Sequence, residues 1–362
     1  MSIRWGVLCA MTLAAAGLHA VEPPGFRVET LADGVYAMVR EDLPGLLVNS
    51  NVLVAVNDED VVVVDTNYTP ASARAVIDAV RKLTPKPVRY VVNTHRHTDH
   101  TSGNSAYREA FPGAEIVAHP FTREELLTKG EQSVKEWSQG VPGLAANLRA
   151  SLAEGKTLGG GPLSDSERRS YESDLRIAED FSSGAAAIRV VPPTLTVEDR
   201  LVLHRGERTI EIRSLGRSHT AGDLVVWLPR EGVVATGDMV VAPVPLVGAD
   251  QSYVGDWAAT LDRLLELHPK VVVPGHGPLL RDNAYLRQFR DFLRSVDQQA
   301  RAAIARGETL EQARKSVDVE SFRRAMAGDD PELRFLFSVY GVGPAVGAVY
   351  RQAGVPAAPG PR

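Results

Sequence analysis

The segment Thr94-His95-Arg96-His97-Thr98-Asp99-His100 constrains this chain more than any other. It places three imidazoles and a carboxylate within six residues, directly after the strand-like run Val88–Asn93. The polar set therefore emerges from the end of a buried strand. Two histidines at i and i+2 on extended chain point to the same side, so His95 and His97 can grip one divalent ion. Asp99 and His100, on the turn beyond, can face a second ion about 3.5–4 Å away, the usual two-metal spacing. A solvated polar loop rarely carries this set.

Three more candidates stand at strand ends downstream. His219 lies in Gly216-Arg217-Ser218-His219-Thr220-Ala221-Gly222-Asp223, Asp238 in Thr236-Gly237-Asp238, and His276 in Pro274-Gly275-His276-Gly277. The neighbouring glycines let backbone come close to a ligand or ion. Each alone is a weak signal, because a lone histidine is more often an ordinary polar residue. Together, in this order, they extend the motif to a seven-ligand, two-metal set. The chain has one cysteine, Cys9, against nine histidines. That excludes an intramolecular disulfide and a thiolate cluster. Metal chemistry must run on imidazole and carboxylate, which suits zinc best and admits iron or manganese.

The chain has 362 residues, 44% hydrophobic and 23% charged, with a net charge of −5. This is a globular composition, and the acidic balance argues against nucleic acid as a partner. Residues 1–20 have the layout of a secretory signal peptide: Arg4, an apolar run from Trp5 to Leu18, and Ala20 at a small-residue cleavage site. That predicts export, to the periplasm in a bacterium or as a secreted protein. Cys9 follows Leu8, which is too large for a lipoprotein site, so it would leave with the signal. No later segment reads as a membrane span, so no membrane association is expected after cleavage. The oligomeric state is left open.

Strand-like runs Val35–Arg40, Val52–Val56 and Val61–Val64 precede Asp65. Thr69-Pro70 opens a helix with Ala73, Val76, Ile77 and Val80 on one face. Strand–helix alternation continues through a helix near Asn104–Phe111 and a strand at Glu115–His119, which predicts an α/β block over 21–119. Residues 120–190 are polar and helix-like, punctuated by Gly140-Val141-Pro142-Gly143 and Gly159-Gly160-Gly161-Pro162, with a capping box at Ser164-Asp165-Ser166-Glu167. They read as a helical insertion, either a lid or a surface decoration. Strands resume over 191–295, and 296–362 reads as a helical extension. Two β-rich halves around an insertion suggest two half-sandwiches sharing one site.

With HxHxDH at His95–His100, then His219, Asp238 and His276, and the earlier strand ending in Asp65, the sequence resembles the metallo-β-lactamase fold superfamily, over roughly Phe26–Phe292. The resemblance implies an αββα four-layer sandwich with two zinc ions at one edge between the sheets. It implies His95, His97 and His219 on the first zinc, Asp99, His100 and His276 on the second, and Asp238 bridging both. Asp65 would orient ligands from behind. Such a site lowers the pKa of a bridging water toward neutrality and stabilises an oxyanion, and Asp99 would orient the nucleophile or carry a proton. Diiron members commonly have glutamate where His97 stands, which argues against iron.

The same resemblance bears on substrate. Zinc β-lactamases of the best-known type carry cysteine where this chain has Asp238, whereas aspartate marks thioesterase, lactonase and nuclease branches. The expectation is a hydrolase of an ester, lactone, thioester or amide-like small molecule, with a β-lactamase as the alternative and a non-catalytic metal-binding protein behind both. Ser102-Gly103-Asn104 replaces the Gly-Gly-Asn of many relatives, small for small. Several features are set aside. Ser218 sits in a failed serine-hydrolase elbow, because Thr220 replaces its last glycine. Gly341-Val342-Gly343 reads as a turn, and His204 and His268 as surface residues. His119, at a strand end, is a candidate substrate contact or an ordinary loop residue.

Overall fold

The computed structural model describes residues 25–248 and 252–355. The expected signal peptide, with Cys9, lies outside the described residues. The chain begins with an antiparallel meander, β1 (Phe26–Ala32), β2 (Val35–Arg40), β3 (Val52–Val56) and β4 (Val61–Val64). Helix α1 (Pro70–Leu83) crosses to β5 (Val88–Val92), and the short helices α2 (Thr98–Thr101) and α3 (Asn104–Ala110) lead to β6 (Glu115–Ala118). Two long helices follow, α4 (Pro120–Glu154) and α5 (Asp165–Gly184), before β7 (Leu195–Thr196) completes a seven-stranded sheet in sequential order. The second sheet holds five strands in the order β12-β11-β10-β9-β8: β8 (Arg200–Arg205), β9 (Arg208–Arg213), β10 (Val225–Leu228), β11 (Val233–Val241) and β12 (Val271–His276). Helix α6 (Val254–Glu266) links the last two strands, which run parallel. The C-terminal part comprises α7 (Ala284–Ala305), α8 (Leu310–Ser316), α9 (Glu320–Ala327), α10 (Pro331–Leu336), a π-helical turn at Phe337–Val342, and α11 (Gly343–Gln352).

The valines of β4 show why the sheets stack. All four are buried, and their alternation splits them between two cores. Val62 and Val64 join Ile210, Ile212, Val226 and Val233 between the sheets. Val61 and Val63 join Val76, Ile77, Val80 and Tyr107 under α1 and α3. A third core packs Trp257, Leu261, Phe289 and Phe292 on the far face of the second sheet. Each such side chain contributes on the order of 1.5–3 kcal/mol by leaving water. The result is the expected αββα sandwich. Helix α1 starts as read: the Thr69 side chain accepts from Ser72 N at 3.1 Å and Pro70 takes the first turn.

Four readings need correction. Gly140-Val141-Pro142-Gly143 does not interrupt the insertion, because α4 runs through it for 35 residues. Val141, Ala145 and Leu148 are buried there, and Val141 and Ala145 pack with Ile177 and Phe181 of α5, which outweighs the roughly 3 kcal/mol that proline costs inside a helix. Gly341-Val342-Gly343 is helical, not a turn. Pro344 has no N–H to give the Tyr340 carbonyl; the backbone widens into a π turn and Val247 N donates to that carbonyl at 2.8 Å. The boundary expected at 295 falls inside α7. Asp238 does not stand at a strand end, because β11 runs on through it to Val241, with irregular register around Gly237, whose φ is +51°. The capping box at Ser164 forms as expected, with Ser164 N donating to Glu167 at 2.8 Å.

Candidate metal centre

All seven residues singled out as ligands converge at one edge of the sandwich. His95, His97, Asp99 and His100 follow β5, His219 lies between β9 and β10, Asp238 sits within β11, and His276 ends β12. The parallel strands β4, β5, β11 and β12 therefore present their C-terminal ends or a bulge to the site, the usual place for a ligand in an α/β fold. Six of the seven are buried, His97 being partly open.

The donor atoms form two groups. In one, Nδ1 of His97 lies 2.9 Å from Nε2 of His95 and 3.1 Å from Nε2 of His219. Oδ2 of Asp238 stands 3.8 and 3.5 Å from the same two Nε2 atoms. In the other, Nε2 of His100 and Nε2 of His276 are 3.3 Å apart. Oδ2 of Asp99 is 3.2 and 3.1 Å from them, and Oδ1 of Asp238 is 3.2 Å from both. Nitrogen donors held at 2.0–2.1 Å in a tetrahedron would stand about 3.3–3.4 Å apart, so both groups match the shape of a four-ligand cage. Asp238 gives one oxygen to each group. Its Oδ1 is buried with no aligned hydrogen-bond donor. Buried polar atoms normally find partners, and a cation is the partner this donor set suits.

Backbone and side-chain contacts behind the donors fix their tautomers. Asp65 is 2% exposed and adopts φ +66° at the end of β4, a conformation that aspartate tolerates. Its Oδ1 accepts from Thr94 N at 2.8 Å, while its Oδ2 accepts from the Thr94 hydroxyl and from His100 Nδ1, each at 2.8 Å. His276 Nδ1 donates to the Asn49 carbonyl at 2.9 Å. Both imidazoles therefore carry their proton on Nδ1 and leave the Nε2 lone pair free for the cluster. The His100 carbonyl is held by Thr66 Oγ1 at 3.0 Å and Asn93 Nδ2 at 3.2 Å, and Asn51 Nδ2 pins the His276 turn through Pro274 O and Gly277 O.

The two groups differ in charge. Burial, reinforced by neighbouring imidazoles, holds His95 and His97 well below the usual histidine range, so they are neutral and ready to ligate. Burial acts the same way on His276, but the Asp238 and Asp99 carboxylates overcome it and push its pKa up to about 10. His100 is likewise raised, against burial, by Asp99, Asp65 and Asp238. Burial works against ionising Asp99 and Asp238, yet the imidazoles beside them hold both well below the carboxylate range. Without an ion, protons on His100 and His276 supply the positive charge that these carboxylates require.

A cavity of about 310 Å³ opens over the cluster. Its apolar wall includes Leu46, Val48, Tyr68, Trp137, Leu246 and Tyr340. Trp137 comes from α4, so the insertion contributes to the site, and its ring meets Tyr68 edge-on at 5.8 Å. Leu246 and Gly248 come from the segment after β11, and Tyr340 from the π turn. Asp65 lies behind the donors, with Oδ2 2.8 Å from His100 Nδ1. His119 does not line this cavity: its ring caps α4 by accepting from Phe121 N at 3.1 Å. Ser218 is buried and bonded to Asp223, and His204 and His268 are exposed. Tyr68, Trp137 and Tyr340 were not singled out by sequence. Only Tyr340 left a trace there, as the residue four before Pro344.

A sequence profile of the metallo-beta-lactamase superfamily matches residues 45–276, which hold all seven ligands. Among curated proteins, a linear primary-alkylsulfatase from Pseudomonas sp. (strain ATCC 19151) is 24% identical over 76% of this chain, which spans about half (51%) of that protein. A metallo-beta-lactamase type 2 from Bacillus cereus is 23% identical over 69% of this chain and 75% of its own length. Among solved structures, a stereoselective inverting sec-alkylsulfatase from Pseudomonas sp. aligns with TM-score 0.59 at 18% identity, over 90% of this chain and 50% of that one. A metallo-beta-lactamase from Pontibacter korlensis aligns with TM-score 0.52 at 19% identity, over 74% and 99%. With the profile spanning most of the chain and the fold agreeing, the chain belongs to the metallo-beta-lactamase superfamily.

Proposed function

We propose that this protein is an exported, zinc-dependent hydrolase of a small molecule bearing an ester, lactone, thioester or amide-like bond. The observation that carries this reading is Asp238, whose two oxygens face two separate donor groups. His95, His97 and His219 would hold one ion, and Asp99, His100 and His276 the other, with Asp238 shared. Ions there supply a nucleophile at neutral pH and Lewis-acid stabilisation of a developing oxyanion. The chain's own residues do the rest. Asp65 and the Asn49 carbonyl keep His100 and His276 in the ligating tautomer. Asp99 belongs to the cluster and also lines the cavity, so its carboxylate can orient the attacking group and take up its proton. The apolar wall seats the substrate body and displaces water from the centre.

β-Lactam hydrolysis is the second reading, favoured by the similarity to metallo-beta-lactamases; an aspartate at 238 in place of cysteine stands against it. The sulfatase relatives extend the ester panel to sulfate esters. The test is elemental analysis of purified protein with a substrate panel of carboxylic, thio- and sulfate esters, lactones and β-lactams. Two zinc equivalents and turnover of an ester or lactone are expected. Less than one equivalent with no turnover would end this reading, and turnover restricted to β-lactams would install the second. Export rests on residues 1–20 and is checked by fractionating cells that express the full chain.

A further inference from the structure

Arg96 stands between the two histidines of the motif and takes part in neither donor group. It lines the cavity beside His97 and Asp99 and is the only arginine or lysine among the described lining residues. Its side chain is 16% exposed. Nε is buried and has no hydrogen-bond partner; the nearest carboxylate oxygen, Oε2 of Glu125, lies 3.6 Å away. Lys129 Nζ donates to the other oxygen, Oε1, at 2.8 Å, while Oε2 has no hydrogen-bond partner, so Glu125 and Arg96 form an ion pair without a hydrogen bond. No residue among those described accepts a hydrogen bond from either terminal nitrogen of Arg96. A guanidinium with five donors, lining a cavity with both polar and apolar walls and held by Glu125 only through a 3.6 Å ion pair, has donors to spare for a ligand. Among the described lining residues, the acidic side chains are Asp99 and Asp238 of the donor groups and Glu136, which is exposed and accepts from Gln132 at 2.8 Å.

Resting on the hydrolase reading above, we infer that Arg96 is a specificity residue that binds a carboxylate, sulfate or phosphate group carried by the substrate. The substrate class is thus an amphiphile: an apolar body against Tyr68, Trp137, Leu246 and Tyr340, with a permanent anion within reach of Arg96 and the scissile bond at the cluster. Glu125, on α4, holds the guanidinium at 3.6 Å, and the two also line a neighbouring pocket with Lys129. Arginine suits this role better than lysine, because its planar fork meets an oxyanion in two parallel hydrogen bonds.

The test separates this inference from hydrolysis itself by measuring binding. Intrinsic tryptophan fluorescence, with Trp137 on the cavity wall and Trp137→Phe as the control for its share of the signal, reports equilibrium binding of 4-phenylbutyrate and of its neutral analogue 4-phenylbutanol, on chelator-treated protein and on zinc-loaded protein. Chelator-treated wild type is expected to prefer the acid about 10- to 100-fold, the range a charge-assisted bidentate contact gives. Arg96→Gln should erase that preference, and Arg96→Lys should restore part of it. An unchanged acid-to-alcohol ratio in Arg96→Gln overturns the inference, as does a wild type that binds both probes equally. If the protein prefers the acid through Arg96 yet hydrolyses nothing in the panel, the hydrolase reading falls and the anion site stands.

Discussion

Asp65 offers the sharpest check on how the centre is assembled. It touches no other carboxylate, yet it accepts from three buried donors: the N–H and O–H of Thr94 and Nδ1–H of His100. Asp65→Ala leaves all three unpaired, at roughly 1–3 kcal/mol each, and puts alanine at φ +66°, about 1–2 kcal/mol more. A loss of roughly 4 kcal/mol or more would endanger the fold and blur the result. Asp65→Asn is the cleaner perturbation, since asparagine tolerates positive φ and keeps one acceptor for Thr94. Its NH2 then faces His100 Nδ1. Two donors cannot pair, so His100 must move its proton to Nε2, the atom that faces Asp99, Asp238 and His276. The group holding His100 should lose zinc affinity by about 10- to 100-fold, or roughly 1.4–2.7 kcal/mol. The group built on His95, His97 and His219 should change little. Competition titration against a chromophoric chelator resolves the two equivalents. Wild-type affinity for both, or a parallel loss of both, would refute the assignment of Asp65 to the His100 tautomer.

Three further outcomes follow from the geometry. In chelator-treated protein His276 titrates near 10 instead of its ordinary 6.5. Its contribution to stability is complete below about pH 6.5 and is lost as pH rises through about 10. Urea midpoints of the metal-free protein should fall over that window while zinc affinity rises, because ligation expels the same protons; flat midpoints contradict the coupling of His276 to Asp238 and Asp99. Trp137→Ala should lower stability by only about 1 kcal/mol, since the side chain is 37% exposed, but should raise KM for substrates with an apolar body about tenfold and leave kcat nearly intact; an unchanged KM removes α4 from the substrate wall. At Gly103 a Cβ would overlap the Thr66 carbonyl oxygen and crowd Ala73, so Gly103→Ala should cost on the order of 2–4 kcal/mol in urea unfolding.

Gly103 also shows what the sequence revealed and what it hid. Ser102, read as small for small, is 4% exposed and its hydroxyl is buried without a hydrogen-bond partner. The absolute need is one residue later and depends on where the Thr66 carbonyl points, which no local pattern encodes. The ligands were legible because metal geometry imposes strict spacing on a few chemically distinctive residues. Asn49 was not, since it acts on His276 through its carbonyl oxygen, which every residue has. Glycine and proline misled at Pro142 and Gly341–Pro344 for a common reason. Their local preferences amount to a few kcal/mol, and burial of Val141, Ala145 and Leu148, or a donor borrowed from Val247, outweighs them.

The walls of the cavity come from four places far apart in sequence: the segment around Leu46 and Val48, helix α4, the loop carrying Leu246, and Tyr340. Tyr340 links two of the others. Its hydroxyl donates to the Leu46 carbonyl at 2.8 Å, and its own carbonyl, freed by Pro344, accepts from Val247 N at 2.8 Å. One residue thus sets the spacing between the strap before β3 and the loop after β11. Yet Tyr340 lies beyond residue 276, where the superfamily profile ends. The candidate ligands thus sit at strand ends within the profile, whereas the cavity wall also draws on a residue beyond it. Under the proposed reading, substrate selection would fall to Arg96, between two ligands of the profile-matched motif, and to Trp137 and Tyr340 of the wall.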